Sequence, residues 1–254
     1  MKNLKQRLAK GETLNGCWMN LGSPLTAEII GHAGFDWVLI DLEHSSSSEN
    51  DVLLQLQALE SSPTAAIVRV ETPEGPRISK VMDIGAEGVM CPKINTAEEA
   101  RKVVSGLHYP PFGNRGVSTM IRPTAYGKTW DSYYENSKDN FLGIVQIETV
   151  EALNNLDEIA STEGVDVLFI GPADLTIDMG IFGQFENPKY IDAVEKIVAA
   201  AKKAGKSTGI LFFNPDDYKK YHDMGIKFIA CGSDAYFLSE GAKNMAKKLS
   251  ESRD

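Results

Sequence analysis

Apolar residues in this chain fall into short, nearly unbroken runs, separated by longer stretches where they recur every three or four positions. The runs are Leu14–Leu21, Trp37–Leu42, Ala65–Val70, Gly88–Ile94, Phe141–Ile147, Val165–Ile170, Thr208–Phe213 and Phe228–Cys231. A run with no polar alternation suits a strand covered on both faces, as in a parallel sheet. The stretches between the runs carry helix signals. Thr72 before Pro73 reads as a cap and a first helical residue, with Ile78, Val81 and Met82 on one face and Gly85 closing the helix. Thr96 and Glu99 have capping-box spacing ahead of Ala100, Val103, Val104 and Leu107. Ile191, Val194, Ile197, Val198 and Ala201 form one stripe closed by Gly205. Ser46 and Glu49 read as a cap after the second run; Tyr218, Tyr221 and Gly225, then Leu238, Met245 and Leu249, mark the last two helices.

Eight strand–helix repeats count out a closed (β/α)8 TIM barrel, with residues 1–254 as one α/β domain. An open doubly wound sheet usually has fewer repeats and opens on a GxGxxG turn, which this chain lacks. One connection is long: Tyr109 to Asn140 contains YPPFGNRG, RPTAYG and several aromatics. A connection of that length in a compact domain usually serves function.

Composition narrows the function classes. The hydrophobic and charged fractions, 43% and 24%, are ordinary for a globular chain. A formal charge of -9 opposes nucleic-acid binding, which needs clustered Lys and Arg. Cys17, Cys91 and Cys231 sit apart in apolar runs and read as buried thiols, with no disulfide framework or cysteine metal site. MKNLKQRLAKGE has no signal-peptide core, and no apolar run approaches the roughly 20 residues that cross a bilayer. The expectation is a cytoplasmic protein.

Barrel active sites lie at the C-terminal ends of the strands, so the polar residues closing each run are the candidates. They are Asp41, Glu43 and His44; Arg69 and Glu71; Lys93; Gln146 and Glu148; Gly171, Pro172 and Asp174; Asn214; and Ser233 with Asp234. Glu148 and Asp174 close neighbouring strands, where two carboxylates repel unless a cation sits between them, which is how Mg²⁺ or Mn²⁺ is commonly held. Either acid alone reads equally as the cap of the following helix. His44, flanked by Asp41 and Glu43, is a candidate proton carrier or a structural histidine. Arg69 ends a buried run and needs an anion: a substrate carboxylate, or Asp41 or Glu43.

Six segments in order resemble the HpcH/HpaI aldolases, metal-dependent pyruvate aldolases of the phosphoenolpyruvate/pyruvate-binding barrel superfamily. They are FDWVLIDLEH (Phe35–His44), IVRV (Ile67–Val70), GAEGVMCPKI (Gly85–Ile94), YPPFGNRG (Tyr109–Gly116), IVQIET (Ile144–Thr149) and DVLFIGPADL (Asp166–Leu175). The resemblance implies that Glu148 and Asp174 are metal ligands for Mg²⁺, Mn²⁺ or Co²⁺. It implies that His44, oriented by Asp41, is the acid/base residue, and that Arg69 steadies the keto oxygen and the enolate. Asp83 matches an acid that the family places near the histidine of a neighbouring subunit. Gln146 and the backbone of Gly171, Pro172 and Ala173 match pyruvate-binding elements. A homohexamer, a trimer of dimers with the helix at about 234–250 exchanged, is implied as well.

The implied reaction is cleavage of a 4-hydroxy-2-oxo acid to pyruvate and an aldehyde, with no Schiff-base role for Lys93. Glu71, Lys93 and the run Ser45–Ser48 depart from the family pattern and concern the aldehyde end, where Glu71 and Lys93 could pair with each other. Two other readings stay open. One is an acyl-CoA-ester lyase of citramalyl- or malyl-CoA type, or a decarboxylase; it needs cations for the CoA phosphates, and only Arg115 and Arg122 offer themselves. The other is a non-catalytic barrel that binds a keto acid or a partner.

Overall fold

Each of the eight apolar runs forms a strand in the computed structural model, which describes residues 2–252. The strands are β1 (Leu14–Met19), β2 (Trp37–Asp41), β3 (Ala65–Arg69), β4 (Gly88–Cys91), β5 (Leu142–Ile147), β6 (Val167–Ile170), β7 (Ser207–Phe212) and β8 (Phe228–Ser233). All pair in parallel with their sequence neighbours, and β1 pairs with β8, so the sheet closes into a barrel. Helices follow the strands and cover the outside, and the last and longest of them is Asp234–Glu251.

Alternation along closed strands sends every second residue inward. One apolar cluster, with Leu14, Trp18, Trp37, Leu39, Ile67, Met90, Ile144, Phe169 and Phe228, fills the barrel axis; a second, larger one lies between strands and helices. Trp37 and Phe228 stack with ring centroids 3.9 Å apart, and the Trp37 indole N–H donates to the Leu14 carbonyl at 3.2 Å. The same inward parity, continued toward the strand ends, runs from Leu39 to Asp41, from Ile67 to Arg69, and from Ile144 through Gln146 to Glu148. The packed axis thus aims the polar residues into the mouth.

The helix ends show where local chemistry decides boundaries. Thr96 and Glu99 form the expected capping box, and Gly85 closes its helix in the left-handed region at φ 115°. The helix before Gly85 is Gly75–Ile84, two residues later than the Thr72–Pro73 signal placed it, with Glu74 at its cap and Pro76 within the first turn. The helix after β2 is capped by Ser48 with Asp51, not by Ser46 with Glu49. Two prolines, Pro73 and Pro76, and four consecutive serines offer competing starts, and the tertiary path selects among them.

The 109–140 connection carries helices Trp130–Glu135 and Ser137–Asn140. Arg115 anchors it: this side chain is 1% exposed, donates to Asp83 at 2.6 Å and to the Tyr133 hydroxyl at 3.2 Å, and lies 4.6 Å from the Tyr109 ring centre. Among the described residues no helix is long and apolar enough to cross a membrane. Cys17, Cys91 and Cys231 are unbridged; Cys17 and Cys91 are buried, and Cys231 is half-buried.

Candidate active site

The floor of the barrel mouth is a chain of polar contacts centred on Arg69. Its Nε donates to Asp41 Oδ1 at 2.9 Å and its Nη2 to Asp41 Oδ2 at 2.7 Å, a bidentate fork. Nη1 pairs with Glu43 Oε2 at 2.8 Å and donates to Gln146 Oε1 at 3.3 Å. Gln146 Nε2 then donates to Glu148 Oε2 at 3.1 Å, and the Lys93 N–H donates to Glu148 Oε1 at 2.7 Å. Asp41 is fully buried, and Asn20 Nδ2 and the Glu43 N–H also donate to it, at 3.0 Å each. So the permanent charge of Arg69 is compensated inside the fold, by Asp41 at the end of β2 and Glu43 just beyond it.

Glu148 is the least comfortable group in this chain of contacts. It is 2% exposed, and burial pushes its carboxyl up to about 7, against the Lys93 N–H; the nearby charges of Asp174 and Glu43 push the same way. Burial likewise raises Glu43. Gly171 is why β6 approaches so closely: a Cβ there would stand 2.2 Å from Glu148 Oε2. Gly171 also caps the helix Pro172–Asp178, which carries Asp174 in its first turn. N–H groups in a first helical turn have no carbonyl behind them and face the mouth.

A buried carboxyl pushed up in pKa beside further acids is a site that a cation would relieve. Among the described residues no three His, Cys, Asp or Glu side chains converge as a complete ligand set. Two carboxylates with open positions left for water and substrate oxygens is the arrangement hard divalent cations accept. Glu148 and Asp174 fit that description.

Residues 14–240 match the family model for HpcH/HpaI aldolase/citrate lyase. The chain belongs to the HpcH/HpaI aldolase/citrate lyase family. It is 38% identical over 250 residues to a 4-hydroxy-2-oxo-heptane-1,7-dioate aldolase of Salmonella dublin, covering 98% of this chain and 95% of that one. It is 39% identical over 230 residues to a hydroxypyruvate/pyruvate aldolase of Agrobacterium fabrum, covering 91% of this chain and 86% of the other. A solved HpcH/HpaI aldolase/citrate lyase family protein from Burkholderia cenocepacia superposes with a TM-score of 0.93 at 34% identity, covering 98% of this chain and 99% of that one. This chain is an aldolase, a carbon–carbon lyase.

In this aldolase the barrel brings Asp41, Arg69, Gln146, Glu148, Gly171, Pro172, Ala173 and Asp174 to one end. The pairing of Asp41 with His44 is not formed. Both Asp41 oxygens are held by Arg69, and the nearest acid to His44 is Glu43, with Nε2 to Oε2 at 3.8 Å and the imidazole 63% exposed. Glu71 and Lys93 do not pair either, since Glu71 binds Arg77 at 2.7 Å. Asp83 lies at the far end of the barrel, because the helix Gly75–Ile84 runs away from the mouth and Asp83 is on its last turn, paired with Arg115. Within one chain it does not reach His44.

Three contributors escaped the reading of strand ends. Asn20 was absorbed into the apolar run Leu14–Leu21, although a polar residue closing a strand was its signal. Trp18, 5.6 Å from the Arg69 guanidinium, read as core. The Lys93 N–H is a backbone group, placed by φ 50° at Lys93, and no side-chain pattern reveals it.

Proposed function

We propose that this aldolase cleaves a 4-hydroxy-2-oxo acid to pyruvate and an aldehyde, with a divalent cation (Mg²⁺, Mn²⁺ or Co²⁺) held by Glu148 and Asp174. The observation that carries this is the buried Glu148 carboxyl beside Asp174, on a strand end that only glycine at 171 can accommodate. A cation bound there supplies Lewis acidity toward the carboxylate and keto oxygens of the substrate.

The chain's own residues divide the remaining work. Gln146 and the first-turn N–H of Ala173 orient the pyruvate half. His44, exposed on the mouth, takes the proton of the C4 hydroxyl; the O–H electrons become the aldehyde C=O, the C3–C4 bond breaks, and its electron pair passes into the pyruvate enolate. Arg69, fixed by Asp41 and Glu43, faces the charge that develops on the enolate oxygen. His44 then returns the proton to C3.

Asp83 serves the site of a neighbouring subunit in a homohexamer, a trimer of dimers that exchanges the C-terminal helix. Support for association is the helix Asp234–Glu251, in which only Asp234 is buried while Leu238, Met245 and Leu249 are each 60% exposed or more. Three free thiols suit a reducing compartment, the cytoplasm. The acyl-CoA reading is weakened by its two cations: Arg115 is buried on Asp83, and Arg122 binds Glu60 and the Ile84 carbonyl, so neither is free for phosphate.

The test is pyruvate release from a panel of 4-hydroxy-2-oxo acids, with and without EDTA, for wild type and Glu148→Ala. Activity lost to EDTA, restored by Mg²⁺ or Mn²⁺, and absent from Glu148→Ala is the expected result. Cleavage indifferent to EDTA would sink the metal assignment, and no pyruvate from any member would sink the reaction.

A further inference from the structure

Lys93 is the strand-end cation to which the reaction above gives no task. Its backbone is fixed: the Lys93 N–H donates to Glu148 Oε1 at 2.7 Å, and the Ile94 N–H donates to the Gln146 carbonyl at 3.2 Å. Thr149 Oγ1 donates to Asn95 Oδ1, so three successive residues after β4 are bonded to the end of β5. Lys93 itself sits at φ 50°, in the left-handed region that favours glycine. A residue with a long side chain is strained there, and the surrounding bonds hold it in place. The side chain behaves in the opposite way. It is exposed, and among the described residues its ammonium has neither an ion pair nor a hydrogen bond. Its charge still acts in the mouth: burial raises the Glu43 carboxyl, and the fields of Arg69, His44 and Lys93 oppose that rise.

The other charges around it are assigned. Asp41 binds Arg69 through both oxygens, and Glu43 takes the remaining Nη1 of the same guanidinium. Arg77, the next cation along the chain, is held by Glu71 and Glu49. Glu148 and Asp174 face the divalent cation in the reading above. Among the described residues that close the strands, Lys93 is thus the cation with no anion of its own. Position decides which anion suits it. The residue whose N–H holds a metal ligand also carries the ammonium, so the ammonium is tethered beside the cation site. A 2-oxo acid chelated through its carboxylate and keto oxygens commits both groups to the cation. The four-carbon lysine stem is free to follow what projects beyond that chelate, which is C4 and its substituent.

We infer that Lys93 is a specificity-determining residue that pairs with an anionic group, a carboxylate or a phosphate, on the C4 substituent of the substrate. This rests on the 4-hydroxy-2-oxo acid reading above and names the charge carried by its aldehyde. A lysine that only offsets the acids of the mouth acts on every substrate alike. A lysine that binds the substituent separates substrates by charge, and that difference is what the experiment reads.

The experiment compares kcat/KM for 4-hydroxy-2-oxo acids whose C4 chains are of equal length and end in carboxylate, phosphate or carboxamide. Wild type, Lys93→Gln, Lys93→Arg and Lys93→Glu are assayed with Mn²⁺ at low and high KCl, together with deuterium exchange into the pyruvate methyl by wild type. All three variants keep the backbone N–H that Glu148 accepts. Wild type should favour an anionic chain over the carboxamide by at least about fivefold, the scale of one partly exposed ion pair. The preference should lie mainly in KM and narrow with salt, and the better of the two anionic chains names the group. Lys93→Gln should abolish the preference, Lys93→Arg keep most of it, and Lys93→Glu reverse it. Equal cleavage of charged and neutral chains by wild type overturns the inference, and so does a preference that survives in Lys93→Gln. Slowing of all chains by one common factor in Lys93→Gln overturns it too, since Lys93 then serves only the mouth's own acids. Absence of both methyl exchange and cleavage instead overturns the 4-hydroxy-2-oxo acid reading beneath it.

Discussion

Gly171 couples two functions at a single Cα: it lets β6 lie against Glu148, and it starts the helix that carries Asp174. Adding one methyl group there would drive a carbon to 2.2 Å from Glu148 Oε2, and the carboxylate, bonded to Gln146 and the Lys93 N–H, has little freedom to retreat. Disturbing the support of a metal ligand commonly weakens affinity by roughly 10–100-fold. Gly171→Ala is therefore expected to fold as a barrel and to bind Mn²⁺ at least about tenfold more weakly, measured by titration calorimetry. Unchanged affinity would remove Glu148 from the ligand set. The positions involved were visible in the sequence because strand-end polar residues are few. Their pairings were not. Arg69 had three candidate anions, and it takes Asp41 and Glu43 together because Asp41 projects inward from the adjacent strand and Glu43 follows it directly at the strand's end. That choice leaves His44 without Asp41. A linear reading favours Asp41 and His44 because they are close in sequence, whereas β2–β3 register sets Asp41 directly opposite Arg69.

At the scale of elements, continuous apolar runs placed all eight strands, since each is too short for a buried helix and alternates with a segment of helical spacing. Helix starts were less legible. Capping residues outnumber helices around Thr72 and Ser45–Ser48, and only the distance each connection must span selects one. The helix Asp234–Glu251 raises a different question, because among the described residues Phe237 stacks on Phe35 while Leu238, Met245 and Leu249 are left uncovered. The helix Pro24–Gly31 leaves Leu25 and Ile29 each 69% exposed as well. Apolar patches of this kind mark contact surfaces. If the last helix packs between subunits, charges at Leu238 and Leu249 break the assembly without touching the barrel. Leu238→Asp with Leu249→Asp is expected to convert a single oligomeric species to smaller ones in light scattering after size exclusion, with the far-ultraviolet circular dichroism retained. An unchanged mass would place the interface elsewhere.

For the molecule as a whole, stability at acid pH depends on buried groups both at the mouth and far from it. His108 is 3% exposed, its Nδ1 lacks a hydrogen-bond partner, and burial lowers its pKa to about 4, helped by the positive fields of Lys5, Lys138 and Arg115. The acids on the same side are Glu163 and Asp166, and Asp166 is tied to Lys5 at 3.1 Å. With a depressed folded pKa, the unfolded chain binds a proton between about pH 6.5 and about pH 4 that the native ring refuses. The contribution is fully present above the unfolded value and lost as pH falls through that window. Asp166, Glu43 and Glu148 act in the opposite sense, because their raised folded values let the native state hold protons the unfolded chain releases. Wild-type stability against pH therefore mixes both signs, and only a difference isolates His108. His108→Leu keeps similar volume and removes the titration. Relative to wild type, its urea-unfolding free energy at fixed protein concentration should rise by about 2–3 kcal/mol from about pH 7 to about pH 4.5, at a slope near 1.4 kcal/mol per pH unit. A constant difference across that range would mean that His108 accepts its proton in the folded barrel, so that the ring is open to water despite its burial.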